Sequence, residues 1–317
     1  MIACIRKVTQ WQLRSRSLEL GRRTLVMGIV NITPDSFSDG GLFLDPEAAV
    51  EQGLRLLDEG ADILDLGAES TRPGSRAGSP DGTALYSNDE DLSLGTQLVS
   101  AKEEQARLLP VLEGILRARP DAVISVDTYK AATARAALRA GAEIVNDVSG
   151  FGWDAEMAWA CAEARCGVVL MHTRGRPEEW RTQPPLEPDE LLATVRAGLM
   201  TSLEKAAAAG IPPEALVLDP GYGFGKRFEE NFFLLARQTE LLARGRPLLA
   251  GVSRKSFLGR ALAPLHGGSA APVEARETAG VAAMTAAILN GASIVRAHAV
   301  RQAAEAACIA DAMLAAG

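Results

Sequence analysis

The chain has 317 residues, of which 47% are hydrophobic and 23% are charged, a balance typical of a globular protein with a large core. Its formal net charge of −7 argues against a general nucleic-acid or membrane-surface role, since both need a basic footprint. The N-terminus lacks a signal-peptide pattern, and nowhere do about 18 apolar residues run without interruption, so we expect a cytoplasmic protein.

Short apolar runs alternate with amphipathic stretches along the chain. Apolar spacing of three and four predicts helices between the runs, for example over 46–60, 132–141 and 190–210. Strands that are apolar on both faces and separated by helices indicate parallel βαβ units. The eight predicted strands are 24–31, 62–68, 122–128, 143–149, 167–173, 215–221, 247–253 and 293–299.

Three of these strands begin with the same joint, a Gly-Ala pair at Gly60, Gly141 and Gly291. Each glycine suits the left-handed residue that ends a helix. The repeated joint and the eight strands predict a (β/α)8 TIM barrel, with a doubly wound open sheet as the alternative. We expect one domain over 1–317, in which 77–97, rich in Gly, Ser and Asp, is a loop insertion after the second strand.

Polar or ionisable residues stand at or just beyond the carboxyl end of every predicted strand. The strand ends of a parallel barrel share one rim, where the chemistry of such barrels takes place. The pattern therefore predicts a site at that rim. In chain order these residues are Asn31, Thr71, Arg72, Asp127, Asn146, Asp147, His172, Asp219, 253–256, Arg296 and His298.

These residues offer two kinds of chemistry. Carboxylate and amide edges suited to a flat heterocycle come from Asp127, Asn146 and Asp219. Cationic donors suited to phosphates come from Arg72, Arg254, Lys255, Arg296 and His298. The chain has no Ser-His-Asp or GxSxG pattern, which disfavours a nucleophilic enzyme. We expect a barrel that binds a heterocycle with a phosphorylated arm.

Some of these polar residues also have plain structural interpretations. Asp127 and Asn146 could be satisfied polar residues of the core, and His172 is interpreted as structural. Asp65, inside the second strand, is interpreted as a buried structural carboxylate without a functional role. The glycines of 221–226 fail the phosphate-loop spacing and are expected to let the backbone turn close to a ligand.

Seven motifs together resemble those of the dihydropteroate synthase family, in order and spacing, from about Leu18 onward. They are MGIVNITPDSFSDGG (27–41), ESTRPGS (69–75), SVDT (125–128), NDVSG (146–150), LDPGYGFGK (218–226), SRKSF (253–257) and VRAH (295–298). The resemblance implies a TIM barrel that condenses 6-hydroxymethyl-7,8-dihydropterin pyrophosphate with p-aminobenzoate. The products would be 7,8-dihydropteroate and pyrophosphate. It also implies Mg²⁺ as cofactor, a homodimer, and sulfonamides as inhibitors.

The resemblance assigns roles residue by residue. It implies that the pterin is held by Asp127, Asn146, Asp219, Lys255 and Arg296. It places the pyrophosphate against Thr71, Arg72, Arg296 and His298, and p-aminobenzoate against Thr71, Pro73, Phe224 and Ser256. Asn31 would lie near Mg²⁺, and Asp35 and Phe37 would belong to a mobile loop. The residues expected to be catalytic are Arg72, Lys255, Arg296 and His298.

Ala299 is a departure from the family pattern, which commonly has an aspartate after the histidine of the last strand. The absence of this aspartate removes an expected partner of His298. Two alternatives to a synthase remain open at this stage. One is a non-catalytic pterin-binding paralogue, and the other is the pterin-binding domain of a methyltetrahydrofolate–corrinoid methyltransferase, which would not need the ESTRPGS and SRKSF motifs together.

Overall fold

The computed structural model describes residues 6–33, 45–69 and 99–316. The strands are β1 (Thr9–Gln12), β2 (Ser17–Leu20), β3 (Leu25–Asn31), β4 (Ile63–Gly67), β5 (Ile124–Asp127), β6 (Ile144–Asp147), β7 (Gly167–Met171), β8 (Leu216–Asp219), β9 (Leu248–Ala250) and β10 (Ala292–Ala297). The α-helices are α1 (Pro46–Asp58), α2 (Ala101–Ala118), α3 (Ala131–Arg139), α4 (Met157–Ala164), α5 (Pro188–Ala208), α6 (Phe228–Ala236), α7 (Ser256–Ala261), α8 (Glu277–Leu289) and α9 (Val300–Ala316). The predicted insertion at 77–97 lies outside the described residues.

Strands β3 to β10 form a closed parallel barrel in which each strand pairs with its neighbour in sequence and β10 returns to β3. All eight predicted strands are present, and closure of the sheet rules out the open doubly wound alternative. The three glycines at the repeated joints have φ values of +106° (Gly60), +113° (Gly141) and +95° (Gly291). The predicted left-handed helix ends are therefore confirmed, and each directs the chain into the next strand.

An antiparallel hairpin, β1–β2, precedes the barrel and has no counterpart among the elements predicted from the sequence. Its side chains Trp11, Leu13 and Leu20 are buried in one cluster with apolar residues of the barrel interior. Trp11 Nε1 donates a hydrogen bond to the carbonyl of Ala215, which directly precedes β8, at 2.9 Å. A Cβ added at Gly167, the first residue of β7, would lie 2.5 Å from Leu13 Cδ2. The hairpin thus covers the amino end of the barrel.

The barrel interior changes from apolar to polar along the strands. Side chains alternate between the two faces of a strand, so every second residue points inward. The inward apolar layer next to the hairpin consists of Met27, Ile63, Val123, Ile144, Val169, Val217, Leu249 and Ile294. Two positions further along the strands stand Asp65, Asn146, Asp219 and Arg296. The polar rim is therefore mounted directly on the apolar layer.

Among the described helices, none has both the length and the apolar character needed to cross a membrane. Within the same part of the chain, Cys161 and Cys166 are buried free thiols and Cys308 is an exposed one.

We predict that Trp11→Ala lowers the free energy of unfolding by about 3–5 kcal/mol, because it empties the centre of the hairpin cluster. Urea denaturation followed by far-UV circular dichroism measures this change. Val8→Ala is the matched control, since Val8 adjoins the same hairpin but is 47% exposed. Equal effects of the two substitutions would show that the hairpin does not seal the barrel.

Candidate functional site

The carboxyl rim of the barrel gathers the described residues that were predicted from strand ends. Asn31, Asp127 and Asp219 are the last residues of β3, β5 and β8, and Asn146 and Arg296 lie near the ends of β6 and β10. Lys255 and His298 lie in the segments that follow β9 and β10. The predicted residues Asp35, Phe37, Thr71, Arg72 and Pro73 lie outside the described residues.

Arg296 is at the centre of the polar interior and contacts two carboxylates. Its Nε donates to Asp65 Oδ2 and its Nη2 to Asp127 Oδ2, both at 2.6 Å. Asp65 Oδ2 also accepts from Asn146 Nδ2 at 2.9 Å. Burial opposes the charge of Arg296, but the two carboxylates hold its pKa above the ordinary arginine value. The guanidinium therefore stays charged and joins three barrel strands.

Burial shifts the pKa values of three other rim groups, Asp127, Asp219 and Lys255. Burial raises the pKa of Asp127 to about 7, although Arg296 opposes the rise. Burial also raises the pKa of Asp219 above the usual carboxyl range. The pKa of Lys255 falls to about 7 because the amine is buried and lies near Arg296. A ligand that pairs with these groups would fix their charge, which is common at binding and catalytic sites.

Ser253 is a partner of His298 that sequence reasoning missed. Its Oγ lies 3.1 Å from His298 Nδ1 and accepts from the His298 backbone N–H at 3.3 Å. Ala299, where the family commonly has an aspartate, directly precedes α9, and its carbonyl accepts from the Ala303 N–H at 3.0 Å. The imidazole therefore has a hydroxyl partner from the neighbouring strand end.

The glycine-rich turn after β8 comes close to the end of β7. Lys226 is 8% exposed, and its Nζ donates to the carbonyls of His172 (3.1 Å) and Phe224 (3.2 Å). Burial lowers the pKa of Lys226 to about 7. Gly221 has φ +71°, donates its N–H to Asp219 Oδ1 at 2.7 Å, and has no room for a side chain against the His172 carbonyl. The turn is tight, and it fixes Asp219.

Phe224 and Ser256 flank the same side of the rim. Lys255 Nζ lies 3.8 Å from the centre of the half-buried Phe224 ring, which also packs edge-on against Trp180 at 5.0 Å between centroids. Ser256 is exposed at the start of α7. An aromatic ring, an ammonium and a hydroxyl are thus available beside the carboxylates.

A second buried charge network lies behind the end of β4. Lys130 is fully buried and pairs with Glu69 and with Glu104 of α2, the latter at 3.1 Å. Burial raises the pKa of Glu69, while Lys130 acts to lower it. Thr133 Oγ1 also donates to Glu104, at 2.8 Å. This network fixes the first residue of the ESTRPGS motif relative to α2 and α3.

The described residues offer little for a permanently bound metal. They contain no group of three or more His, Cys, Asp or Glu side chains arranged to hold an ion. Asn31, half-buried at the end of β3, supplies one neutral oxygen. Carbonyl and carboxylate oxygens suit Mg²⁺, which usually keeps several waters and binds through few protein groups together with substrate phosphates. The donor set therefore fits an ion that shares its coordination with a phosphorylated substrate.

Comparison with known proteins agrees with this geometry. The pterin binding enzyme family matches residues 27–83 and 91–298. The dihydropteroate synthase of Mycobacterium leprae is 42% identical over 292 residues, which cover 92% of this chain and 94% of that protein. The chain belongs to the dihydropteroate synthases. It is thus a transferase of the pterin-binding family.

Solved structures of other dihydropteroate synthases share the fold. The enzyme from Yersinia pestis, in a sulfonamide drug complex, is 36% identical with a TM-score of 0.81, covering 98% of this chain and 100% of that one. The enzyme from Xanthomonas albilineans with 4-aminobenzoic acid is 38% identical with a TM-score of 0.79, covering 98% of this chain and 99% of that one. The gap between the two family-matched ranges, 84–90, falls inside the predicted insertion.

We predict that Gly221→Ala destabilises this dihydropteroate synthase and weakens pterin binding together. The new Cβ would lie 2.0 Å from the His172 carbonyl oxygen, so the turn that fixes Asp219 must shift. Gly210→Ala is the control, because Gly210 also has positive φ (+82°) but has open space around it. The control should lose about 1–2 kcal/mol from backbone strain alone, and Gly221→Ala about 2 kcal/mol more. Thermal melts and calorimetric titration with 6-hydroxymethylpterin measure both effects, and equal losses would contradict the steric explanation.

Proposed function

We propose that this dihydropteroate synthase joins 6-hydroxymethyl-7,8-dihydropterin pyrophosphate to p-aminobenzoate by a dissociative substitution. The C–O bond to pyrophosphate breaks, the arylamine nitrogen forms the new C–N bond, and one amine proton is lost. The observation that carries the proposal is the cluster of Asp127, Asn146, Asp219, Lys255 and Arg296 on one barrel rim, which offers hydrogen-bonding edges beside fixed cations.

The pterin ring is proposed to lie among these carboxylates. Asp127 and Asp219 would accept from ring N–H groups, and Lys255 would donate to a ring acceptor. Their pKa values lie at or shift toward neutrality in the free protein because the groups are buried, so a bound ligand can set their charge. Two ionised carboxylates beside the ring would also stabilise the positive charge that develops as the leaving group departs.

Departure of pyrophosphate requires cationic donors at the rim. Arg296 and His298 lie near the end of the same strand and are proposed to face the leaving group, together with Arg72 from the ESTRPGS motif. An electron-rich pterin next to the breaking bond lets departure run ahead of attack. A covalent nucleophile is then unnecessary, and the barrier is lowered by stabilising developing charge.

Ser253 is proposed to hold His298 in one orientation. Its Oγ accepts the His298 backbone N–H, which directs the hydroxyl proton toward Nδ1. The imidazole then carries its own proton on Nε2, which can donate to a departing phosphate oxygen. The serine thereby gives the imidazole an orienting hydroxyl partner.

p-Aminobenzoate is proposed to bind against Phe224 and Ser256, with Thr71 and Pro73 from the ESTRPGS motif. Phe224 offers an aromatic face whose position is fixed by Trp180 and Lys255. Support also comes from the Xanthomonas albilineans enzyme, whose solved structure holds 4-aminobenzoic acid. Binding that holds the arylamine nitrogen in line with the breaking C–O bond lowers the barrier through proximity and orientation. Asp35 and Phe37 are proposed to belong to a loop that closes over it and excludes water.

Mg²⁺ is proposed as the cofactor, held by Asn31 and by the pyrophosphate. When bound, the ion would neutralise part of the charge on the leaving group. Among the described residues, the neutral amide oxygen of Asn31 supports this shared arrangement.

A cytoplasmic homodimer is proposed as the working form. Support comes from two apolar side chains one helical turn apart on α9, Ile309 and Met313, which are 64% and 48% exposed. Phe233 of α6 is also 42% exposed, and α8 packs against both α6 and α9. These helices offer a surface on which a second copy could bury apolar area.

The decisive test mixes the purified protein with Mg²⁺, the pterin pyrophosphate and p-aminobenzoate and measures pyrophosphate and dihydropteroate. One pyrophosphate should appear per dihydropteroate, and only when both substrates are present. Arg296→Lys, which keeps the charge but cannot reach two carboxylates as a planar fork, should lower kcat/KM about 100-fold. Binding of pterin without release of pyrophosphate would instead identify a non-catalytic paralogue.

We predict that Ser253→Ala lowers kcat about 10- to 100-fold, since loss of an orienting partner has effects of that size. The KM for p-aminobenzoate should change little, because Ser253 contacts the imidazole. Steady-state kinetics with each substrate varied in turn measure the split. Ser293→Ala is the control. Ser293 is a buried serine on β10, and its side chain lies on the opposite face of the strand from Ile294 and Arg296. A drop in kcat of the same size in both variants would refute the orienting role.

A further inference from the structure

Asp65 is the buried residue on which Asn146 and Arg296 converge. It lies in the middle of β4, is 0% exposed, and stands in the same inward layer as Asn146, Asp219 and Arg296. Its Oδ2 accepts from both Arg296 Nε (2.6 Å) and Asn146 Nδ2 (2.9 Å). Among the described residues, Asp65 Oδ1 has no hydrogen-bond partner. The carboxylate is thus held below the rim and contacts two of the groups that form it.

The contact with Asp65 decides which way round the Asn146 amide stands. An amide has a donor nitrogen on one side and an acceptor oxygen on the other, whereas an ionised carboxylate can only accept. Asn146 must therefore turn its nitrogen toward Asp65, and its Oδ1 is directed away from Asp65. Burial of Asn146, at 4% exposed, makes the reverse orientation unfavourable, because two acceptors would face each other out of water.

With this orientation, the rim from β5 to β8 carries only acceptors where it was predicted to touch a heterocycle. Asp127, Asn146 Oδ1 and Asp219 follow one another on β5, β6 and β8. The donors Arg296 and Lys255 come from the other side, from β10 and from the segment after β9. The heterocycle edge that fits against β5 to β8 must therefore present N–H groups, as an aminopyrimidine edge does.

We propose that Asp65 is a positioning residue that fixes Asn146 as a hydrogen-bond acceptor and so sets the preference of the site for an amino-substituted heterocycle over its oxo analogue. The inference rests on the proposed pterin binding and deepens it. Asp65 touches no substrate in this arrangement. It acts through Asn146 and Arg296.

Asp65 also acts on Asp127 through charge. The charged groups that face Asp127 are Asp65 on β4, Arg296 on β10, Lys255 after β9 and Glu104 on α2. Asp65 and Glu104 raise the pKa of Asp127, whereas Arg296 and Lys255 lower it. Arg296 is shared between Asp65 and Asp127, so removing the negative charge of Asp65 lets Arg296 act more fully on Asp127. Both changes lower the pKa of Asp127, and its carboxylate would then stay ionised to a lower pH.

Two substitutions at Asp65 separate orientation from charge. In Asp65→Asn, the amide oxygen can take the place of Oδ2 and accept from Arg296 and Asn146, so the orientation is kept and the charge is lost. In Asp65→Ala, both are lost, and Asn146 is free to turn either way. The probes are 6-hydroxymethylpterin and the analogue with oxygen in place of the 2-amino group, titrated by calorimetry. Because binding is measured, the result is separate from the synthase assay, whose failure alone would overturn only the proposed turnover.

The expected results differ between the two variants. The wild-type preference for the amino ligand should fall at least about tenfold in Asp65→Ala and be retained in Asp65→Asn. Pterin affinity is also measured as a function of pH, and the pH range over which it falls on acidification is called the acidic limb. In Asp65→Asn this acidic limb should move about one pH unit lower than in the wild type with the same ligand. An unchanged preference in Asp65→Ala, or an unmoved acidic limb in Asp65→Asn, would overturn the proposal.

A reciprocal exchange keeps the test decisive if Asp65→Ala does not fold. Asn146→Asp alone sets two carboxylates against each other and should weaken pterin binding about 100-fold. When Asp65→Asn is added, the new amide at position 65 donates to the new carboxylate at position 146, which still offers an acceptor to the ligand. The double variant should therefore bind pterin at least about tenfold more tightly than Asn146→Asp alone. Failure of the double variant to recover affinity would overturn the inference.

Asp147→Asn is the structural control. Asp147 is also a fully buried carboxylate, next to Asn146 on β6, but it accepts hydrogen bonds from the Ser149 hydroxyl and from the backbone N–H groups of Ser149 and Phe151 in the loop that follows. Its substitution should lower the melting temperature without changing ligand preference or the acidic limb. Equal changes in preference for Asp147→Asn and Asp65→Ala would assign both effects to lost stability.

Discussion

The double hydrogen bond of Arg296 is the interaction on which the polar interior of this barrel depends. A carboxylate without a partner is too unfavourable to remain ionised inside a protein. Here two carboxylates from different strands are compensated by one planar guanidinium at 2.6 Å each. Lysine could not replace it, because an ammonium has no rigid fork with which to hold two carboxylates in fixed directions. The geometry of the rim is therefore set before any ligand arrives.

Most of the fold could be predicted because its signals are local. Each strand is a short apolar run next to a helix with apolar residues at every third or fourth position, and a left-handed glycine at Gly60, Gly141 and Gly291 marks the change. Closure of the sheet could not be predicted in that way, since it depends on the pairing of β3 with β10, more than 260 residues apart. The hairpin was missed because TQWQ and SLEL together contain only three apolar residues, and it is contact with the barrel that buries Trp11 and Leu20.

The candidate site could be predicted in position but not in its internal contacts. Positions at strand ends predict the rim residues Asn31, Asp127, Asn146, Asp219 and Arg296, since parallel strands bring their carboxyl ends together. The mid-strand position of Asp65 predicts a structural carboxylate, and its contacts with Asn146 and Arg296 become visible only in the fold. A usable signal was present, since Asp65 follows the core residue Ile63 by two, as Asn146 follows Ile144 and Arg296 follows Ile294. The contact of Ser253 with His298, 45 residues away, had no such signal.

The two-residue interval between the apolar layer and the polar layer also limits how such a protein can change through evolution. Inserting or deleting one residue within a barrel strand would turn the polar side chain outward against the helices and bring its neighbour inside. Arg296 would then leave Asp65 and Asp127 without their cationic partner, so one such event would remove the site and much of the stability at once. Substitutions can adjust the rim gradually, and whole loops can lengthen between strands and helices. The lengths of the strands themselves are, by this reasoning, the least variable property of the molecule.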